Sequence, residues 1–176
     1  MRLPAFLVAA LLALTAIPSN AQNVTTENID GVVNFKRVET TVACGGSTAP
    51  EALAAMKKMG FVSVFNLRLP NEQGNDVAKE EAAAKAAGLK FVNLPLDANA
   101  PDAKVADKFL EFMKTPGYQP AFIHCARGGR AAAMWMVKRL VMDKWDAKKA
   151  QEEATALGLS HEGLTKFVLA YAAAHK

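Results

Sequence analysis

The chain has 176 residues, 22% of them charged and 51% hydrophobic, with a formal net charge of +4 and only two cysteines, Cys44 and Cys125. The mild positive surplus contains no basic run and gives no support for a nucleic-acid partner, and two cysteines do not make a disulfide scaffold. The three histidines, His124, His161 and His175, are scattered, and there is no CxxC pair or His/Cys cluster at ligand spacing, so no metal and no cofactor is expected.

The first elements read as follows. Met1-Arg2, an apolar stretch over 3–17 and small residues at Ser19 and Ala21 describe a Sec-type signal peptide over residues 1–21, cleaved after Ala21. A membrane-spanning helix needs about 20 apolar residues, more than this stretch offers. The expected product is an exported protein, periplasmic or secreted, with no membrane contact after cleavage. No cysteine follows the cleavage point, which argues against a lipoprotein. Residues 22–31 are polar and read as a loose leader. Residues 32–176 are enough for one domain with a real core.

Within that domain, 32–37 and 40–44 are expected as short strands. Thr48 and Glu51 match a capping box, Pro50 suits a first helical turn, and a helix carrying Leu53 and Met56 should stop at Gly60. Residues 61–67 are aromatic and β-branched and predict a buried central strand. A loop over 68–75 leads to an Ala/Glu/Lys-rich helix over 76–87, which ends at Gly88. Another buried strand is expected over 89–94. A loop over 96–101 follows, and then a helix over 102–115 with Val105, Phe109, Phe112 and Met113 on one face. The last strand is 121–123, and the last three helices are 130–142, one capped by Asp146, and one capped by Ser160. Strands alternating with helices predict an α/β fold, a single-domain three-layer sandwich with a central, mostly parallel sheet.

The run Ile123-His124-Cys125-Ala126-Arg127-Gly128-Gly129-Arg130 carries the chemistry. A strand, a Gly-containing loop and a helix start aim main-chain N–H groups and the positive end of a helix dipole at one spot, an anion cradle. A cysteine held there is suited to act as a thiolate nucleophile, at the carboxyl end of a strand where open α/β sheets place ligands. Arg130 opposes the dipole of the helix it opens, and a bound oxyanion gripped by its guanidinium would compensate. Arg127 either greets an anionic substrate at the mouth or is simply solvated. His124 is expected as a hydrogen-bonded packing residue.

His124-Cys125-x-x-Gly128 resembles the signature of the cysteine-dependent protein tyrosine and dual-specificity phosphatases. The segments 34–38, 45–50 and 61–68 are similar to bacterial phosphatase-like domains related to beta-lactamase-hydrolase-like proteins, and the resemblance covers roughly residues 32–158. It implies a phosphotyrosine-phosphatase-like fold and hydrolysis of phosphate monoesters on phosphoprotein or small phosphorylated substrates. In that mechanism Cys125 attacks phosphorus, Arg130 holds the equatorial oxygens, and Ala126, Arg127, Gly128 and Gly129 line the phosphate. A carboxylic acid protonates the leaving oxygen: Asp97, after a buried strand, is preferred over Asp102, which falls in a helix's first turn.

Two departures from the signature stand out. The gap between Cys125 and Arg130 holds four residues, one fewer than in most such phosphatases. That length occurs in the bacterial group just named and also in rhodanese-type sulfurtransferases, which use a cysteine persulfide. The three helices after the loop, with no further strand, favour the phosphatase. Ala131 stands where phosphatases usually carry a hydroxyl that helps the thiolate leave, which keeps a third reading in play, a catalytically weak phosphate- or phosphoprotein-binding module. Arg68 and Glu72 are expected as an ion pair supporting their loop. Cys44 is expected as a plain buried thiol, with reversible pairing to Cys125 as the alternative.

Overall fold

The computed structural model describes residues 24–38 and 40–175. The expected signal peptide lies outside the described residues. Six strands, β1 (Val24–Thr26), β2 (Lys36–Val38), β3 (Val42–Gly45), β4 (Ser63–Asn66), β5 (Lys90–Asn93) and β6 (Ala121–His124), form one sheet in the order β1-β2-β3-β6-β4-β5. The four strands β3, β6, β4 and β5 are parallel, and β1 and β2 add antiparallel to the β3 edge.

The period-two alternation of the strands divides the core into two layers. Ala43, Val64 and Phe122 face a smaller cluster with Leu53 and Met56 of α1 (Leu53–Lys58) and Ala84 of α2 (Val77–Ala86). Cys44, Phe65 and Ile123 face the larger cluster. That side is covered by α3 (Ala103–Lys114), α4 (Gly129–Val141), α5 (Ala147–Leu157) and α6 (Glu162–Ala174). The result is the α/β sandwich expected. In α4 the run Ala131-Ala132-Ala133-Met134-Trp135-Met136-Val137 is wholly buried, and its alanines let the helix lie close to the sheet and to α5 and α6.

Several expectations need correction. Residues 24–26 of the supposed leader form the edge strand β1, paired to β2 and with Val24 packed on the core. Main-chain pairing needs no apolar pattern, so the polar composition concealed it. The strand expected over 32–37 shrinks to its end because Asn34 has φ 52° and turns the chain. β5 is buried only in part because it forms the sheet's other edge: Val92 and the flanking Leu89 and Leu94 face the core, while Lys90 and Asn93 are exposed, side chains that guard an edge from further pairing. No capping box forms at Thr48 and Glu51: Thr48 Oγ1 donates to the Gly46 carbonyl, and Ala49 caps the 3-10 turn Pro50–Ala52. The cap of α6 is His161, whose Nδ1 accepts the Leu164 N–H at 3.2 Å, so Ser160 is left outside the helix.

Candidate active site

The site grows from the carboxyl ends of three parallel strands. β6 hands over to Cys125, whose N–H donates to the Gly45 carbonyl at the end of β3 (3.1 Å). The next turn of main chain, at Gly46, passes so close to the loop that a Cβ there would stand 2.8 Å from the Ala126 oxygen. Ser47 N–H then donates to that same oxygen at 3.0 Å. The Gly45-Gly46 pair thus buttresses the cysteine loop from the β3 side. Gly128 sits at φ 103°, a left-handed conformation that favours glycine, and as N-cap of α4 it turns its N–H onto Cys125 Sγ at 3.1 Å.

Arg130 is nearly buried, and its Nη1 is fully engaged by the protein. It donates to the carbonyls of Leu67 and Leu96, both at 3.0 Å, and meets Glu72 Oε1 at 2.6 Å. Its charge is coupled to that of the neighbouring Cys125. Burial works against its charge, but the Glu72 hydrogen bond and the neighbouring sulfur and carboxylate charges outweigh burial and raise its pKa further. Glu72 shows the reciprocal effect. Burial pushes its carboxyl up, yet hydrogen bonds from Arg130 and the Leu69 N–H, the Arg130 charge and Arg68 together bring it down to about 2.

Above Cys125 and Arg130 opens a cavity of about 400 Å³, lined also by Ala126, Arg127, Gly129, Asp97, Asn99, Ser160 and His161. Asp97 Oδ1 accepts the Asn99 N–H at 2.8 Å. Asp102 is outside the lining and caps α3 by accepting the Lys104 N–H at 2.9 Å. Arg127 is exposed at the mouth, and its carbonyl is tied to Asn34 Nδ2 at 3.3 Å. Cys125 is 2% exposed and free; Cys44 is fully buried and free, with its thiol pKa pushed up by burial first and then by the charges of Cys125 and Glu153. Ala131 is fully buried at the start of α4. Among the described residues no cluster of His, Cys, Asp or Glu has a metal-holding arrangement.

Sequence reasoning missed three participants. Glu72 does pair with Arg68, Nε to Oε2 at 3.3 Å, but its other oxygen reaches Arg130. The i,i+4 spacing accounts for the first contact, and nothing local announces the second. His161 lines the cavity while capping α6, a cap type outside the usual Ser, Thr, Asp and Asn. Glu80, which meets the buried His124, lies in an Ala/Glu/Lys-rich helix where any glutamate reads as solvated.

The sequence model of the family described as "DSP-PTPase phosphatase fused to NAD+ Kinase" matches residues 13–167. No curated protein matches the chain. Among solved structures, a DUF442 protein from Shewanella putrefaciens CN-32 superposes with a TM-score of 0.70 at 17% identity, covering 84% of this chain and 96% of that one. TpbA of P. aeruginosa, also solved in complex with phosphotyrosine, gives 0.65 at 19% identity, over 91% and 94% of the two chains. The catalytic core of the PP-IP phosphatase SIW14 of S. cerevisiae, solved with citrate, gives 0.64 at 19% identity, over 82% and 88%. These likenesses are of fold, and the family match extends over nearly the whole chain: it belongs to the DSP-PTPase phosphatases of the kind described as fused to NAD+ kinase, cysteine-dependent hydrolases of the protein tyrosine and dual-specificity type.

Proposed function

We propose that the chain hydrolyses phosphate monoesters through a phosphocysteine on Cys125. One observation carries this reading: Cys125 Sγ accepts the Gly128 N–H and shares with Arg130, whose charge is coupled to it, a cavity that Asp97 also lines. A thiolate there is stabilised by a main-chain dipole and a full positive charge. It attacks phosphorus as the bond to the ester oxygen breaks. Arg130, with Nη1 held by Leu67, Leu96 and Glu72, offers its remaining N–H groups to the equatorial oxygens, and the N–H groups of Ala126, Arg127, Gly128 and Gly129 serve the charge that builds there. Asp97 gives its proton to the leaving oxygen and then takes one from the water that cleaves the phosphorus–sulfur bond, releasing phosphate and restoring the thiolate.

Phosphorylated protein side chains and small phosphorylated molecules are the substrates proposed, in keeping with the phosphotyrosine held by TpbA and the PP-IP phosphatase activity named for SIW14. Action outside the cytoplasm is part of the proposal and rests on the pattern of residues 1–21; N-terminal sequencing of the exported protein, expected to begin at Gln22, tests it. The decisive assay is hydrolysis of an aryl phosphate, with acid-quench trapping of labelled phosphoenzyme and Cys125→Ser as control. Phosphate release and label that both depend on Cys125 are expected. Thiocyanate formation from thiosulfate and cyanide would point to sulfur transfer. Phosphopeptide binding without turnover would point to a binding module.

A further inference from the structure

The signature loop is held at both ends by one chain of polar contacts, buried at His124 and Glu80 and half-buried at Asn75 and Glu72. At its start, His124 is fully buried and turned to the face of the sheet opposite Cys125, with its ring stacked on Phe122 (5.6 Å between centroids, 11° between planes). Its Nε2 donates to Glu80 Oε1 at 2.6 Å, and its Nδ1 is buried without a partner. Glu80 comes from α2 and is itself only 4% exposed. Its other oxygen accepts from Asn66 Nδ2 at 2.7 Å, and the same amide nitrogen donates to Asn75 Oδ1 at 2.9 Å.

From there the contacts run into the loop over 68–75. Asn66 Oδ1 accepts the Arg68 N–H (2.7 Å), and Asn75 Nδ2 donates to the Leu69 carbonyl (2.9 Å). The Leu69 N–H donates to Glu72 Oε1 (2.8 Å), the oxygen that meets Arg130. The path therefore leaves the loop at His124, passes through α2 and the end of β4, and returns at Arg130. A buried carboxylate is costly to desolvate unless it is well bonded, so an apolar residue at position 80 would serve packing better. A carboxylate that serves one ring nitrogen and one amide is instead suited to fixing orientation.

We propose that Glu80 is a positioning residue for the cysteine loop, acting through His124 on the placement of Cys125 and through Asn66 and Asn75 on the loop that holds Arg130. The proposal rests on the reading of Cys125 as nucleophile. The reactive sulfur is faced by Arg130 from α4 and Cys44 from β3, and its cavity by Glu72, Asp97, Arg127 and His161; Glu153 of α5 acts on Cys44. Glu80 meets His124, not any of these groups, and lies across the sheet from the sulfur.

The test is Glu80→Gln, read by the pH dependence of Cys125 alkylation with neutral iodoacetamide, followed by peptide mass spectrometry. Glutamine keeps the size but cannot accept from both His124 and Asn66 in the same way. Positioning and simple charge give opposite signs. If Glu80 orders the loop, its loss weakens the grip of Gly128 N–H and Arg130 on the thiolate, and the alkylation midpoint rises by about one pH unit. If Glu80 acts only as a nearby negative charge, its removal lowers the midpoint. A fall or no change overturns the proposal. In a His124→Ala background Glu80→Gln should add a smaller rise, carried by Asn66 and Asn75 alone; a rise as large as in the parent overturns it. kcat toward an aryl phosphate should drop about tenfold with KM nearly constant. Alkylation reads Cys125 whether or not the protein turns over phosphate esters, so failure of the phosphatase reading stays separate. Should Glu80→Gln not fold, Asn75→Ala at the half-buried end of the chain is expected to give a smaller rise of the same sign, and an unmoved midpoint there overturns the proposal.

Discussion

Replacing Glu72 by glutamine removes the carboxylate bonded to Arg130 while leaving the Leu67 and Leu96 carbonyls in place. The Glu72 carboxyl lies at about 2 against an ordinary 4.5. Taken at face value that gap corresponds to about 3 kcal/mol of folding stability. The side chain is 21% exposed, and solvent screening brings the expected loss nearer 1–2 kcal/mol. The sign follows from linkage. A carboxyl whose pKa is depressed on folding stabilises the protein fully above its unfolded value near 4.5, and that contribution fades as pH falls toward 2. Urea denaturation should therefore show Glu72→Gln less stable than the parent at pH 7, with the two curves converging as pH is lowered from about 4.5 toward 3. Arg130 without its fixed partner samples more orientations, so kcat should fall about tenfold, equivalent to about 1.4 kcal/mol of transition-state stabilisation, with KM for an aryl phosphate changed less than threefold. A stability difference that persists unchanged to pH 3, or a variant as active as the parent, would refute the reasoning.

Three further outcomes are expected. Asp97→Asn should lower kcat for a poor leaving group by about 100-fold and much less for a nitrophenolate, whereas Asp102→Asn, at a helix cap, should change stability by a few tenths of a kcal/mol and leave kcat alone; parallel kinetics and melting curves separate the two. Gly128→Ala has ordinary space, with the nearest atoms 3.8 Å from a new Cβ, but φ 103° is unfavourable to it, so a loss of about 1–3 kcal/mol and a slower alkylation of Cys125 should appear together. Ala131→Ser restores a hydroxyl at the start of α4, and in quench-flow it should speed breakdown of the phosphoenzyme several-fold while leaving its formation unchanged.

The layered architecture was legible because its signals are local. The aromatic and β-branched run around Val64 and Phe65, the glycine after α2 and the aspartates at 76, 102 and 146 each act within a turn or two of chain; Asp146 caps α5 as expected, while Asp76 and Asp102, read as the first residues inside their helices, are the caps of α2 and α3. What escaped was contact between distant segments. β1 forms by main-chain pairing to β2, which composition does not encode. Lys90 and Asn93 did carry a signal, since polar residues at alternate ends of an apolar run suit an edge, yet the apolar residues between them dominated. His161 caps with a ring nitrogen where Ser160 offered the commoner hydroxyl. Glu72 and Glu80 looked like solvent-facing acids because charge and spacing say nothing about which buried cation or ring a folded chain will bring to them.

Register explains why those distant segments meet where they do. In the parallel ladder Cys44, Ile123 and Phe65 stand level across β3, β6 and β4, and one residue further on so do Gly45, His124 and Asn66. The next residue on each strand is therefore Gly46, Cys125 and Leu67. Each supplies what the centre requires: close approach without a side chain, a sulfur, and a carbonyl for Arg130. A shift of β4 by one residue against β6 would carry Asn66 to the face of Cys125 and remove both the Leu67 carbonyl from Arg130 and the amide from Glu80. Buried apolar residues on both faces of β4 forbid that shift, since Val64 and Phe65 would exchange layers. The hydrophobic pattern that fixes the sheet thus also sets the level at which sulfur, guanidinium and their supports come together.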